Sequence, residues 1–447
     1  MFGSLKMRLG SFRHGVHPPE HKELTSRLPV RRLPFPDEIV LPVRQHAGKP
    51  AAPIVKVGDR VERGDMVAAA DGWVSVPIHA SASGTVTEIG LWPHQDGSYE
   101  TAIRIAVDPN SAQAPRSRMI PDWRGLEPQA IVAAVQQGGV VGLGGAAFPT
   151  HVKLSPPADK PINAIVINGC ECEPYLTTDH RAMVDFPERV HQGIRIMMRV
   201  LGVDRVLVGI EKNKPDAIAR MRETAPKDLD VEILPLRVRY PQGAEKMLIE
   251  ALLAREVPSG GLPMDVGVIV QNVGSVASIA EIFETGLPLI ERVVTVTGHG
   301  VKKPGNLIVP VGTKIGDLIA ACGGLTADAR EIVSGGPMMG ASIANLDAPV
   351  TKGTTGIVAL RDVDCEERAQ QPCIRCGHCL DACPVFLNPQ VLGKLAVNSR
   401  YEEMADEHHV WDCMLCGCCS YVCPSHIPLS QLFAASRTAL RKSKATA

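Results

Sequence analysis

Short runs of Val and Ile, cut by glycine turns, fill the chain from Ile39 to about Ile105. The turns fall at Val57-Gly58-Asp59, Arg63-Gly64-Asp65, Asp71-Gly72 and Ser83-Gly84-Thr85, and the pattern predicts an all-β module. Residues 1–40 show no sustained period and are rich in Pro, His, Arg and Lys, so an irregular arm wrapping another surface is expected. A linker rich in Pro, Ser and Arg is expected at 109–121. Beyond it, helical spacing at 128–137, 186–201, 215–223, 244–253 and 275–285 alternates with apolar runs at 161–167, 205–210, 231–234 and 266–270. That alternation predicts a mostly parallel sheet covered on both faces. Short strands at 293–297 and 307–311 around a helix at 315–321 predict a small β-grasp-like unit, with 340–371 as a bridge. Helical spacing returns at 390–404 and 429–440.

The expected fold class is therefore multidomain α/β. Residues 1–115 form the arm and a sandwich-like β-module, 116–265 an α/β ligand domain, 266–355 the β-grasp unit, and 356–447 a helical domain. A chain of 447 residues has room for these cores. No stretch reaches the roughly 18 apolar residues of a membrane span, and residues 1–6 lack a signal-peptide core, so any membrane association is expected to be peripheral. A formal charge of -1 and 4% aromatic residues argue against nucleic acid as a partner.

The most specific chemistry lies near the end. Eight of the 13 cysteines form two C-x2-C-x2-C-x3-C-P motifs, Cys373, Cys376, Cys379, Cys383 and Cys413, Cys416, Cys419, Cys423. In this bacterial ferredoxin pattern three thiolates hold one [4Fe-4S] cluster and the fourth reaches the other. The expected ligand sets are therefore Cys373, Cys376, Cys379 and Cys423 for cluster one, and Cys413, Cys416, Cys419 and Cys383 for cluster two. Structural zinc favours isolated C-x2-C pairs, and a disulfide framework needs an oxidising compartment; neither matches the spacing. Cys418 reads as a spare thiol. Cys170 and Cys172 read as local packing or polar lining, and His14, His17 and His21 as exposed loop histidines. Arg437, Arg441, Lys442 and Lys444 read as a solvated helix end.

A second candidate site lies just after the first helix. Gly142, Gly144 and Ala147 fit G-x-G-x-x-A, but a helix precedes the loop and Phe148-Pro149 interrupts the segment after it, unlike the dinucleotide fingerprint. Adjacent glycines bring backbone N–H groups close to a phosphate, and Lys153 is near enough to neutralise it. On spacing alone, a phosphate cradle and a plain glycine turn both stay open. Asn168 ends the next apolar run, where ligands gather in open α/β sheets.

These motifs resemble the C subunit of the Rnf electron-transport complex, whose central part is similar to the flavin-binding 51-kDa subunit of respiratory complex I. The family's G-R-G-G-A-G-F-P-T loop is matched by residues 142–150, its N-A-D-E-x-E-P by 168–174, and its later G-E-E and N-N-V by 243–245 and 271–273. The β-module is similar to lipoyl carriers, but residues 65–85 contain no lysine, which argues against a swinging arm and for a structural or docking β-domain. The resemblance implies FMN contacts from Gly142, Gly144, Gly145, Lys153, Asn168, Glu171, Gly243, Glu245 and Asn272, with Phe148 and Glu173 facing NADH. Leu143, Cys170, Ala244 and Gln271 depart from the family pattern. It further implies an SLBB-like β-grasp domain and a place on the cytoplasmic face of the bacterial inner membrane. Its partners there would be membrane subunits and other iron-sulfur subunits. The expected activity is that of an NADH-dependent flavin and iron-sulfur oxidoreductase, with no acid/base pair. A cobalamin-reductase-like soluble enzyme and a non-catalytic relay with a lapsed flavin site are the alternatives.

Overall fold

The computed structural model describes residues 10–115, 122–365 and 369–446, with side chains as far as Ser443. The expected linker at 109–121 lies partly outside these residues, and residues 1–6 and the Lys444 side chain lie wholly outside them.

In the N-terminal module, strands Glu38–Pro42, Gly84–Pro93 and Tyr99–Val107 pair antiparallel, with the short Arg60–Val61 at the edge. A second, three-stranded sheet packs on them. Alternate residues such as Ile39, Leu41, Ile103 and Ile105 point inward and share one core with Val67 and Ile78, as period-two patterning requires.

The central sheet is parallel, in the order Val231–Leu236, Val206–Glu211, Ala164–Asn168, Val268–Asn272. Both faces are covered, which is why the strands read as unbroken apolar runs. Ile165 and Ile167 enter one core, Ala164 and Val166 the other. The chain starts at the third of these positions, moves outward and returns on the opposite side, so the topological switch lies between Ala164–Asn168 and Val268–Asn272. The expected boundary at 265/266 cuts this sheet, because the fourth strand and the helix after it, Val273–Thr285, belong to the central domain. The helix Thr178–Asp185 was not expected. Its buried residues include His180 and Arg181, so its inward face carries no apolar period.

The β-grasp sheet has six strands, in which Glu291–Thr297 lies between Gly305–Pro310 and the centrally placed Gly356–Arg361. Residues 340–371 are thus no simple bridge, and the expected boundary at 355/356 falls at the start of a central strand. The arm is not wholly irregular either: Val30–Arg32 is the edge strand of this same sheet. Upstream, Val16 bridges Tyr240 and the Gly15 N–H donates to the Ala382 carbonyl. The arm therefore ties three domains together.

In the C-terminal domain the helix expected over 390–404 is two, Pro389–Val397 and Tyr401–Asp406. Asn398 donates its side-chain amide back to the Lys394 carbonyl, and Ser399 turns left-handed (φ 54°), ending the first helix. The last helix, Leu429–Thr446, packs Leu429, Phe433 and Leu440 into a core with Leu392 and Cys419.

Candidate flavin and iron-sulfur sites

The glycine loop lies over the switch point of the central sheet. Val141 bridges Pro149, and the Gly142 N–H donates to the Phe148 carbonyl at 2.8 Å, closing the loop. The Leu143 N–H donates to Ser275 Oγ at 2.7 Å, fastening the loop to the first turn of the 13-residue helix Val273–Thr285. Asn272 caps that helix by accepting from the Gly274 and Ser275 N–H groups. A Cβ on Gly144 would lie 3.3 Å from the Asn272 amide nitrogen, whereas Gly145 (φ +111°) has open space before it. Exposed N–H groups on a glycine loop beside a helix N-terminus suit an anionic group.

The other expected residues gather at the same carboxyl ends. Lys153 Nζ pairs with the Glu245 carboxylate and donates to the Val270 carbonyl at 3.2 Å. Asn168 donates its amide to the Gly243 carbonyl at 2.8 Å. The neighbouring Gln242 and Gln271 are buried, with side-chain atoms that have no partner among the described residues. Unsatisfied buried amides beside an open glycine cradle fit a polar ligand carrying a phosphate, so the donor set present suits FMN.

Three expected residues sit differently. Glu171, itself left-handed (φ 47°), accepts from Thr178 Oγ1 and from the Asp179 and His180 N–H groups, so it holds the start of Thr178–Asp185. Glu173 turns to the β-grasp unit, where it accepts from the Met338 N–H at 3.1 Å; burial pushes its carboxyl up to about 7. Phe148 is half-buried, and its carbonyl closes the glycine loop.

Sequence reasoning missed Asp179 and Arg292. Asp179 accepts from the Asn272 amide at 2.6 Å, and burial, reinforced by Glu171, pushes it up to about 7. Arg292 donates to the Leu143 and Thr354 carbonyls, bracing the loop from beneath; burial pushes it down to about 10. Neither lies in a recognisable motif. Both act through backbone or side-chain groups far away in sequence.

The cysteines fall into two groups. Cys383, Cys413, Cys416 and Cys419 line one cavity with Leu387 and Phe433. Burial pushes the Cys413 thiol up to about 11, with Cys416 and Cys383 adding to it. Around Cys379 the interacting thiols are Cys376, Cys423 and Cys373. Each group thus contains three cysteines of one motif and the last of the other. Four thiols converging on one cavity suit a thiolate-bound cluster. Cys373 and Cys376 are exposed, while Cys383, Cys416 and Cys419 are buried. Cys418 is fully buried, its Sγ 4.0 Å from the Tyr240 carbonyl. Cys170 donates weakly to the Gly209 carbonyl and Cys172 accepts from the Gly243 N–H.

The arm histidines are separately engaged: His14 packs on Phe386 and His21 stacks on Tyr175. Arg437 is not a solvated end. Its guanidinium lies over the Trp411 ring at 5.2 Å and donates to the Cys413 carbonyl at 2.8 Å.

The cavity meets the central domain directly. Tyr240, 2% exposed, donates its hydroxyl to the Cys416 carbonyl at 2.8 Å and lies 3.3 Å from the Glu173 carboxylate. Val16, Tyr240, Ala382, Cys416 and Cys418 share one apolar cluster, flanked by Cys172 and Met338.

Comparison with known proteins agrees with this arrangement. Residues 135–281 match the Nuo51 FMN-binding domain, 10–110 the RnfC barrel sandwich hybrid domain, 293–342 the SLBB domain and 369–427 the 4Fe-4S dicluster domain. The chain is 45% identical over 407 residues to the C subunit of the proton-translocating ferredoxin:NAD(+) oxidoreductase complex of Clostridium ljungdahlii, covering 90% of this chain and 88% of that protein. It is 40% identical to the C subunit of the Na(+)-translocating ferredoxin:NAD(+) oxidoreductase complex of Acetobacterium woodii, covering 89% and 90%. With the C subunit of the ion-translocating oxidoreductase complex of Rhodobacter capsulatus it shares 43% identity, covering 85% and 73%. A chain of an NAD+-reducing [NiFe]-hydrogenase in the H2-reduced state has a similar fold, with a TM-score of 0.50 at 19% identity over 71% of this chain and 63% of that one. With two families of chemistry joined in one chain and relatives aligned along most of its length, the protein belongs to the Rnf-type C subunits of ion-translocating ferredoxin:NAD(+) oxidoreductase complexes.

Proposed function

We propose that this chain is the peripheral electron-input subunit of such a complex. It passes electrons between NADH, FMN and two [4Fe-4S] clusters, and to or from membrane subunits and ferredoxin. The observation that carries the reading is the contact between its two sites: the loop after Asn168 reaches the cysteine-lined cavity through Tyr240. When bound, FMN supplies the exchange between two-electron hydride chemistry and single-electron transfer.

The protein's own task is placement. Gly144 and Gly145 offer backbone donors to the phosphate, Gly142 shapes the loop by closing it on the Phe148 carbonyl, and Lys153 supplies the opposing charge. Asn168, Gly243, Glu245 and Asn272 frame the opposite side, with Glu171 acting through the helix it holds. Phe148 and Glu173 are proposed on the NADH side, although Glu173 is turned to the β-grasp turn here. The cluster ligands are proposed as Cys413, Cys416, Cys419 and Cys383 on the flavin side, and Cys373, Cys376, Cys379 and Cys423 on the outer side. The exposure of Cys373 and Cys376 makes the latter the point of exchange with the next carrier.

No helix among the described residues is long and apolar enough to cross a membrane. We place the chain on the cytoplasmic face of the bacterial inner membrane, held there by its partner subunits. Anaerobic purification with iron and flavin analysis tests the reading: about eight iron atoms, as two cubanes require, and one FMN per chain, with both chromophores bleached by NADH. Full iron with neither FMN nor NADH-dependent bleaching would overturn it.

A further inference from the structure

The two cysteine motifs are alike in spacing, and the arm touches the first through the Gly15 N–H on the Ala382 carbonyl and a His14 ring nitrogen 3.2 Å from the Leu380 carbonyl. Only in the second do such contacts fall on the carbonyls of the ligand cysteines, among the described residues. The Tyr240 hydroxyl, from the central domain, donates to the Cys416 carbonyl at 2.8 Å. Arg437, from the last helix, donates to the Cys413 carbonyl at 2.8 Å while its guanidinium rests over Trp411. The two donors bracket Met414 and Leu415, the stretch between the first two cysteines of the motif. Around them the pocket is dry: Cys383, Cys416 and Cys419 are buried, Phe433 is 1% exposed and Cys418 is fully buried.

A cluster bound by four thiolates is negatively charged, and reduction adds one more negative charge. Removal of water disfavours the more highly charged state, whereas donors and positive charge aimed at the cluster favour it. Hydrogen bonds to the sulfurs, net charge and solvent exposure set such potentials; here the two donors reach the carbonyls of ligand cysteines, so they act through the dipole and the positive charge they place beside the cluster. Cluster one has exposed ligands at Cys373 and Cys376, so water can stabilise its reduced form. The buried site lacks that help.

We propose that Tyr240 and Arg437 are positioning residues that raise the potential of the buried, flavin-side cluster, offsetting its dry pocket so that it exchanges electrons with the flavin. Because Tyr240 belongs to the central domain, this adjustment depends on that domain being docked. The inference rests on the assignment of the buried cluster to the flavin side. It adds an electronic role for two residues outside both cysteine motifs and outside the glycine loop.

The test uses the full chain, purified anaerobically with its clusters, and a dithionite redox titration followed by electron paramagnetic resonance. Tyr240→Phe removes only the hydroxyl; Arg437→Gln removes the charge; Arg437→Lys keeps it. Iron content should stay at the wild-type level. One of the two reduction waves should move to lower potential in Tyr240→Phe and further in Arg437→Gln, by about 59 mV, a tenfold change in a one-electron equilibrium. The other wave should stay in place, and Arg437→Lys should recover most of the shift. Equal movement of both waves, no movement in either variant, or loss of iron in both would overturn the proposal. Dithionite reaches the clusters without the flavin, so failure of the NADH reading would show separately, as clusters that titrate normally but do not respond to NADH.

Discussion

Residues 373–384 and 413–424 repeat the same cysteine spacing on nearly the same backbone. Arg375 and Leu415 are left-handed at matching places (φ 57° and 55°), as are Gly377 and Gly417 (φ 85° and 80°) and, just beyond each motif, Phe386 and His426 (φ 57° and 52°). Their surroundings are unlike. The first motif opens to solvent at Cys373 and Cys376, beside the exposed Ile374 and Phe386. The second is packed under Phe433, touched by Arg437, and joined to the central domain by Tyr240. A Cβ on Gly417 would meet the Met338 carbonyl at 2.8 Å, whereas one on Gly377 would meet nothing within 4 Å. The capacity to hold a cluster therefore belongs to the motif, and the place of that cluster in a chain of carriers belongs to tertiary contacts.

Removing one ligand from each set breaks the comparison most severely. Cys383→Ser and Cys423→Ser should each lower iron from about eight to about four atoms per chain. Reduction of the surviving cluster by NADH should vanish only in Cys383→Ser, where the flavin-side cluster is lost. Stopped-flow absorbance alongside iron analysis separates the two. If both variants lose NADH-driven reduction, the clusters are not in series in the proposed order.

Next in size is Lys153→Ala, which removes the cation proposed for the phosphate, held here by Glu245 and the Val270 carbonyl. A hydrogen bond to a charged group is worth about 1.5–3 kcal/mol, so FMN should bind roughly ten- to hundredfold more weakly. The cluster potentials should not change. Flavin retention after gel filtration and a cluster titration check both halves.

The pH dependence of stability gives a smaller effect. Burial raises Glu173 to about 7 from an ordinary value near 4.5. Between those values the folded state binds a proton that the unfolded chain does not. The stability contributed by this group is therefore full below about pH 4.5, declines as pH rises to about 7, and is flat above. Glu173→Gln should remove that decline, gaining on the order of 1–3 kcal/mol at pH 8 relative to wild type. Denaturant melts at pH 5 and pH 8 measure it; an unchanged slope would mean that Glu173 is charged in the folded protein.

Gly145→Ala should cost least. At φ +111° a side chain is strained although the space before it is open, so FMN affinity should fall by about 1 kcal/mol, roughly fivefold. Gly144→Ala, whose Cβ would press on Asn272 at 3.3 Å, sharpens the contrast between strain and contact.

Much of this was legible in the chain. The crossed grouping of the cysteines is implied by spacing, because four-cysteine motifs of that form exchange their last ligand. The central strands showed as apolar runs because both faces are covered, and the glycine loop showed through its adjacent glycines, of which Gly145 takes a left-handed backbone (φ +111°). The features that stayed hidden depend on partners distant in sequence. Val30–Arg32 joins a strand more than 270 residues away, and nothing in its own pattern announces it. The helix Thr178–Asp185 buries a histidine and an arginine, so its inward face looked polar. Glu173 was expected toward the nucleotide, but the Met338 N–H and the Tyr240 hydroxyl hold it at the domain junction. Arg437 looked like a solvated helix end because Trp411 and the Cys413 carbonyl meet it only in the fold.

The central claim is that the buried cluster stands between the flavin and the exposed one. Freeze-quench electron paramagnetic resonance of Cys423→Ser, reconstituted anaerobically with FMN and mixed with NADH, tests it most directly. With the buried cluster next to the flavin, the one remaining cluster should be reduced as fast as the first cluster of the wild-type protein. A remaining cluster that stays oxidised with NADH yet reduces with dithionite would contradict it.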